Sequence, residues 1–492
     1  MTVQAFRSKY DYVAPKETAE QDSVVVYGRI QSQRTAGSKL IFFDLVQDGH
    51  KMQVLCTLGA LVDAGVTEEQ FKEFYRQLQR GDIYAITGKP HRTSRGELSI
   101  KASELPSLIS MCLHDIPIHD KDQDISPYDR HVQLLSSPPA ADILKARFAI
   151  IQYVRSFFLD QSFTEVDTPI ISSTAGGAIA RPFLTSATEF PERPLSLRIA
   201  PELWLKRLVV SGFDKVFEIG PSFRNEGLDK THNPEFTTCE FYHAFADIET
   251  LISTTESFLA GLSAHVRELQ QRLPSLTPVD VSFVAPFKRI DFIPDLEAAM
   301  GRQLPDLSSS DARAQVLKLF DVLSLPVPEQ SSLPRLLDKL CSVYLEPQCQ
   351  NPTFIINPPE CLSPLSKSYR HPTSNQIVSA RAELFVEGKE IVNTYEEENS
   401  PFEQRRKFQM QRQYQDADNL AEVDESYLHA LEWGLPPTGG WGCGIDRLCM
   451  LFTGAKRIGD VLSFGNLRSV TRPAAGSTSP NTCVSGTEST GE

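Results

Sequence analysis

Between residues 23 and 106 apolar positions alternate or run in short blocks, in VVVYGRIQSQR, KLIFFDLVQ, KMQVLC, IYAITGKP and ELSIKASEL. The turn formers AGS, DGH and SRG separate several of these blocks, and EEQFKEFYRQL, with helical spacing, falls between the third and the fourth. Five strands with a helix after the third fit a small Greek-key barrel of the OB type, although any five-stranded barrel fits the bare pattern equally well. The domain boundaries expected from pattern and composition are an N-terminal extension at 1–22, the barrel at 23–110, a polar, Pro-interrupted linker at 111–140 and a second domain at 141–468. In that second domain ADILKARFAIIQYVRSFFLDQSF has helical spacing and EVDTPII follows as a strand. A helical insertion is expected over about 250–345, after which TFIIN, ARAELFV and KEIVNTYE return to strands. GGWGCGIDRLCMLFTG then turns from a Gly-rich strand into a helix. Strand runs joined by hairpins predict an antiparallel α+β core. The end, 469–492, is Ser/Thr/Gly/Pro-rich and is expected to be disordered.

Composition narrows the function classes. The 492 residues exceed one compact core, and no apolar run reaches membrane-spanning length, so no membrane partner is expected. A net charge of −14 argues against general attraction to nucleic acid, so any such site must be a local patch. The nine cysteines form no CxxC pair, which disfavours zinc and fits reduced thiols. MTVQAFRSKYDYVAPKETAE carries no apolar signal core, and its acids weaken a transit reading, so the cytoplasm is expected, with mitochondria as the alternative.

Three constellations carry chemistry. In FRNEGLDKTHNPEFTTCEFY (223–242) an arginine fork, Arg224, suits a phosphate or carboxylate, and Phe236 offers a face for a base. Strand, loop and strand would set Arg224 and Glu240 on neighbouring strands. In RAELFVEGKEIVNTYEEE a hairpin at Glu387-Gly388 would oppose 385 to 390 and set Glu383 and Glu390 on one face. Such a carboxylate pair fits magnesium bridging phosphates, though alone it reads rather as a solvated acidic face. Asn393, Tyr395 and Glu397 alternate along the outgoing strand, and sharing a face with Glu390 requires a bulge that the sequence does not locate. In GGWGCGIDR, Gly439, Gly440, Gly442 and Gly444 permit close backbone approach, and Arg447 lies at a helix start, where anions are favoured. Two arginines, paired acids and a stackable aromatic together describe a nucleoside triphosphate site.

These residues resemble the class II aminoacyl-tRNA synthetases. EVDTP resembles the first class motif, FRNEG with HNPEF the second and GIDR the third, and no HIGH or KMSKS signature of the other class appears. GGAIARPF, LRIAPELWLKRLVV, HNPEFTTCEFY and GLPPTGGWGCGIDR are similar to the lysyl-tRNA synthetase group within the class. The resemblance covers about residues 23–465. It implies an antiparallel-sheet catalytic domain behind an OB-fold barrel, ATP as substrate with Mg²⁺, L-lysine and tRNA(Lys) as partners, and a homodimer. By position it implies that Arg224 bridges the α-phosphate and the amino-acid carboxylate. It further implies that Asn225, Glu226, His232, Phe236 and Arg447 contact ATP, with Arg224, Glu226 and Arg447 catalytic. Glu383 and Glu390 match the metal acids. Glu202, Glu240, Tyr242, Asn393, Tyr395 and Glu397, with Gly177, match the lysine pocket. Arg34, Phe42 and Gln53 match the anticodon readers, Phe42 reading equally as core.

Four departures from the group stand out: YDRHVQLL before the first helix, SATEFPERP after RPF, Gly465 near the close, and Ser222 before FRNEG. Ser222 borders the expected adenine site. It reads either as neutral drift or as the mark of a second copy tolerant of an ATP-site inhibitor. A synthetase-like binder without charging activity is the remaining rival, and retention of Arg224, Arg447, Glu383 and Glu390 together argues against it.

Overall fold

The computed structural model describes the chain except residues 118–128, 174–175, 178–179, 278, 415–422 and 472–492. It divides into two compact units, 1–138 and 139–492. Most of the tail expected to be disordered therefore lies outside the described residues.

The first unit opens with helix α1 (Val3–Lys9), capped by the Thr2 hydroxyl, which accepts from Ala5 N at 3.1 Å. There follow β1 (Val24–Thr35), β2 (Leu40–Gln47), β3 (His50–Thr57), α2 (Leu58–Val62), α3 (Glu68–Gln77), β4 (Ile83–Arg92), β5 (Leu98–Ala102), β6 (Ser107–Ser110) and α4 (Arg130–Ser136). The order β1-β2-β3-β5-β4 closes because β1 also pairs with β4, giving the five-stranded OB barrel, and β6 adds to β4. Alternation decides the side of each β2 residue: Ile41, Phe43 and Leu45 are buried inside, whereas Phe42 is half-buried on the other face. The N-terminal stretch does more than extend the domain, since Val3, Phe6 and Tyr10 are fully buried in the barrel core.

The second unit begins with α5 (Pro138–Asp160), β7 (Thr164–Glu165) and a small sheet of β8 (Ile171–Ser172), β9 (Leu184–Ala187) and β10 (Phe190–Leu197). Next come α6 (Glu202–Val210), β11 (Lys215–Phe223), β12 (Glu235–Ala244), α7 (Ile248–Arg272), β13 (Lys288–Asp291), α8 (Phe292–Met300), α9 (Ala312–Val322) and α10 (Leu333–Tyr344). Then follow β14 (Thr353–Ile356), β15 (Ser368–Arg370), β16 (Ile377–Ser379), β17 (Arg381–Val386), β18 (Lys389–Glu396), α11 (Pro401–Arg412), α12 (Glu425–Leu431), β19 (Thr438–Gly444), α13 (Ile445–Thr453), α14 (Ile458–Val461) and α15 (Leu467–Val470).

The main sheet runs β13-β14-β17-β18-β19-β12-β11-β7. Six central strands are antiparallel, as the hairpin pattern predicts, and the two outermost pairings are parallel. One face carries Phe217, Phe241, Leu384, Val392 and Trp441 against α5, α7 and α13, with the Phe241 and Trp441 rings stacked at 5.1 Å. Helix α7 belongs to this core, so the separate helical insertion narrows to α8–α10, which pack in their own cluster.

The hairpin β17–β18 turns at Glu387 and Gly388, whose φ values of 51° and 68° are those a two-residue turn of this hand needs. Phe385 opposes Glu390 as expected, and Leu384 opposes Val392. Ile391 is therefore the extra residue of a bulge, and both Ile391 and Val392 enter the main core. This is the irregularity the sequence required without placing it.

Because Phe6 is fully buried, Phe6→Ala is expected to destabilise the first unit by about 3–5 kcal/mol. In urea this would appear as an earlier transition by circular dichroism. Fluorescence should stay unmoved, since Trp204, Trp433 and Trp441 all lie in the second unit.

Candidate active site

Strand alternation that sends Phe241 and Trp441 into the core sends their neighbours to the opposite face, and the register there forms two rows. Glu218, Glu240, Gly442, Asn393 and Glu383 lie side by side across five strands. One step along, Val216, Tyr242, Gly440, Tyr395 and Arg381 form the second row. The glycines of β19 make a floor without side chains between acid-bearing and tyrosine-bearing strands. A Cβ on Gly440 would collide with Glu397 Oε1 and stand 2.8 Å from the Tyr242 ring.

Above this floor is an acid pocket. Glu202, the first residue of α6, and Glu397, just past β18, are buried at 4% and 0% exposure. Tyr395 donates its hydroxyl to Glu202 Oε1 at 2.7 Å. Gly177, at φ 95°, presses its backbone against Glu202, where an added Cβ would stand 3.1 Å from Glu202 Cβ. Tyr242 OH donates to Glu240 Oε2 at 3.4 Å. Burial and the Glu202 charge push the Glu240 carboxyl up to about 8, with Arg224 pulling in the other direction. The pocket also holds a residue that sequence reading missed. Lys206 is fully buried, with Nζ 2.6 Å from Glu202 Oε1 and paired to Glu397 Oε2.

Beside the pocket, Arg224 follows β11 directly, its N–H donating to Pro234 O at 2.8 Å, and its guanidinium lies 5.1 Å from the Phe236 ring centroid. Asn225 and Glu226 are exposed in the following loop. Ser222 pairs with Phe236 across the hairpin and is fully buried, its hydroxyl 3.3 Å from that of Thr238.

A second cluster lies at the start of α13. Arg447 donates Nη2 to His232 Nε2 at 2.7 Å and Nη1 to Glu390 O at 3.2 Å. His232 Nδ1 in turn lies 2.8 Å from Asp229 Oδ2, so its proton sits on Nδ1. The Asp229 carboxyl resists its small burial cost, and bonds from Thr231 and His232 hold it near 2. Glu383 shares the face of Glu390, and burial, opposed by its partner Arg381 and reinforced by Glu390, raises it to about 7. Two hard carboxylates that repel one another suit a divalent cation of the magnesium type. Among the described residues no group of three or more His, Cys, Asp or Glu could hold a metal, so phosphate and water oxygens would have to complete the shell.

Asp446 ties the two motifs together. Its Oδ1 accepts from Arg147 of α5 at 2.5 Å and its Oδ2 from Thr237 N at 2.9 Å. In the barrel, Arg34 opposes Phe42, its guanidinium 5.3 Å from the ring centroid. Gln53 is buried on the same face, opposite Asp44, with the Ser99 hydroxyl 3.4 Å from its Oε1. The predicted residues thus fall into a pocket, a phosphate-type cluster and a barrel face, with Asn225 and Glu226 outside the pocket. Lys206 stands four residues after Glu202 on a helix, a spacing that reads as a surface pair unless the apolar run around it is weighed.

Comparison with known proteins agrees with this geometry. Residues 122–468 match the model of the class II tRNA synthetases (D, K and N), and residues 24–108 match that of the OB-fold nucleic acid binding domain. The mitochondrial lysine–tRNA ligase of Schizosaccharomyces pombe is 42% identical over 90% of this chain and 84% of its own length. The probable cytoplasmic lysine–tRNA ligase of Encephalitozoon cuniculi is 39% identical over 91% and 88%. The lysine–tRNA ligase of Clostridium perfringens is 37% identical over 92% and 88%.

Removing one partner of the Arg147–Asp446 pair strands a buried charge, so Asp446→Ala is expected to cost about 3–5 kcal/mol. Urea unfolding followed by tryptophan fluorescence would measure it. The double variant Arg147→Met/Asp446→Leu should lose much less.

Proposed function

The chain belongs to the class II tRNA synthetases of the D, K and N type, and from that premise we propose the reaction its pocket performs. It is an ATP-dependent lysine–tRNA ligase. The observation that carries the choice among aspartate, lysine and asparagine is the acid pocket. Glu202, Glu240 and Glu397 converge over a glycine floor beside Arg224, where an acidic side chain would be repelled and a long cationic one neutralised.

In this reading Arg224 clamps the lysine carboxylate and the ATP α-phosphate, and Phe236 stacks on the adenine. His232 and Arg447 meet the outer phosphates, while Asn225 and Glu226 join them from the loop. Glu202, Glu240 and Glu397 take the two ammonium groups, with Gly177, Tyr242, Asn393 and Tyr395 shaping the walls. The lysine carboxylate oxygen attacks the α-phosphorus in line and pyrophosphate leaves, giving lysyl-adenylate. The terminal ribose hydroxyl of tRNA(Lys) then attacks the lysyl carbonyl and AMP leaves. No enzyme bond forms, so Arg224 and Arg447 act by positioning and by neutralising charge. Magnesium held by Glu383 and Glu390 would supply charge neutralisation on the departing pyrophosphate.

The barrel would read the anticodon through Arg34, Phe42 and Gln53, since Phe42 stands half-exposed on the outer face with Arg34 over its ring. We place the chain in a homodimer. Strand β7 ends the sheet, and Phe148, Ile170 and Ile171 are exposed at 56%, 40% and 52% on α5 and around β7 and β8. A sedimentation mass of one 54.9 kDa chain would count against that. The cytoplasm suits the eight described cysteines, all free thiols, and cofractionation with a mitochondrial marker would decide otherwise.

Arg224→Ala is expected to lower lysine-dependent pyrophosphate exchange by about a thousandfold or more with the fold intact. Exchange near the wild-type rate would sink the assignment, as would charging of purified tRNA with an amino acid other than lysine.

A further inference from the structure

The pocket holds more negative charge than its substrate can answer. Glu202, Glu240 and Glu397 present three carboxylates, whereas lysine brings two ammonium groups and delivers its own carboxylate to Arg224. An uncompensated carboxylate in so buried a place would be strongly unfavourable. Lys206 resolves the mismatch. Its Nζ lies at the centre of the acids, fully buried, 2.6 Å from Glu202 Oε1 and paired to Glu397 Oε2. The rings of Tyr242, Tyr395 and Tyr427 surround it at 5.8, 5.8 and 5.7 Å, faces that favour a cation.

The other oxygen of each carboxylate is not taken by Lys206 and lies against a glycine of the pocket wall. Glu397 Oε1 is buried without a hydrogen-bond partner and lies over Gly440. Glu202 Oε2 faces Gly177, where an added Cβ would stand 3.6 Å away. We propose that Lys206 is a specificity-determining positioning residue. It is a resident ammonium that takes one oxygen from each of Glu202 and Glu397, and it leaves the pocket two net negative charges, the complement of an amino acid carrying two ammonium groups. This rests on the lysine–tRNA ligase reading and names the residue that sets its charge count.

Lys206 keeps its proton: burial works against the ammonium, but Glu202 and Glu397 more than offset it and hold the group well above its ordinary range. Glu240, faced by Glu202, Glu218, Arg224 and Tyr242, is raised to about 8, and burial holds the Glu397 carboxyl well above its ordinary range against the pull of Lys206, so both resist ionisation in the empty pocket. With Lys206 neutralising one acid, lysine binding balances only when all three carboxylates are ionised. The protons that burial favours on Glu240 and Glu397 must then leave.

Two measurements test this. Calorimetry of lysine binding to the wild-type enzyme at pH 7, in buffers of different ionisation heat, should show net release of protons, about one or two per lysine. Release of none, or uptake, overturns the charge count. Lys206→Met keeps the packing and removes the charge. Its lysine KM should rise at least about tenfold while the KM for ATP stays put. The ratio of variant to wild-type KM should grow as pH rises, because at low pH a proton on the surplus acid substitutes for the missing ammonium. An unchanged lysine KM overturns the proposal. So does a ratio independent of pH that follows only a loss of stability in urea, since that would mark Lys206 as a packing residue. A wild-type enzyme with no lysine-dependent exchange would instead refute the underlying function, a result distinct from either.

Discussion

The register between β12, β19 and β18 is the constraint on which everything else depends. Phe241 and Trp441 stack on one side of the sheet, while Glu240, Gly440, Gly442 and Tyr395 lie on the other. A slip of one residue would exchange the two sets, putting carboxylates in the core and aromatics in the site. The core therefore holds the site in place: Trp441 is wedged among Phe158, Phe241 and Phe258, and its indole N–H donates to Thr255 at 3.0 Å. Apolar burial fixes the register, and the register aims the acids.

The second theme is that buried charge comes in matched sets. Arg147 with Asp446, Arg198 with Glu218, Lys407 with Glu398 and Lys206 with its two acids are all nearly removed from solvent. Most of these sets are closed and serve to fix strands and helices relative to one another. The acid pocket is not closed in this way: Glu397 Oε1 is buried without a hydrogen-bond partner, and the Glu240 carboxyl is raised by burial. That difference separates a binding site from scaffolding in the same fold.

Much of this was legible beforehand. The period-two blocks mark the barrel strands, the Glu387-Gly388 turn sets the hairpin pairing, and the three motif segments do fall on one sheet face. What stayed hidden depends on long-range packing. Arg381 sits two positions before Glu383 and pairs with it only because the strand turns both to one side. Arg147 and Asp446 are 299 residues apart. Lys206 looks like a solvent-facing helix partner until the burial of α6 is known. Residues 1–22 read only as an extension, and the place of their helix in the barrel core follows from tertiary contacts alone.

The bulge at Ile391 has a consequence for how this strand can vary. It resets the phase of the chain between the acid at 390 and the residues from 393 onward, so two functions share one strand without sharing one alternation. Substitution at 391 by another apolar residue alters only packing. Deletion of the same codon would leave a plain strand in which Glu390 pairs Phe385, Val392 pairs Leu384 and Asn393 pairs Glu383, so Asn393, Tyr395 and Glu397 would keep the face of Glu390 and only the core contacts of Ile391 would go. The extra residue is thus a point where the strand can lose a codon without turning either set of side chains, at the cost of packing alone.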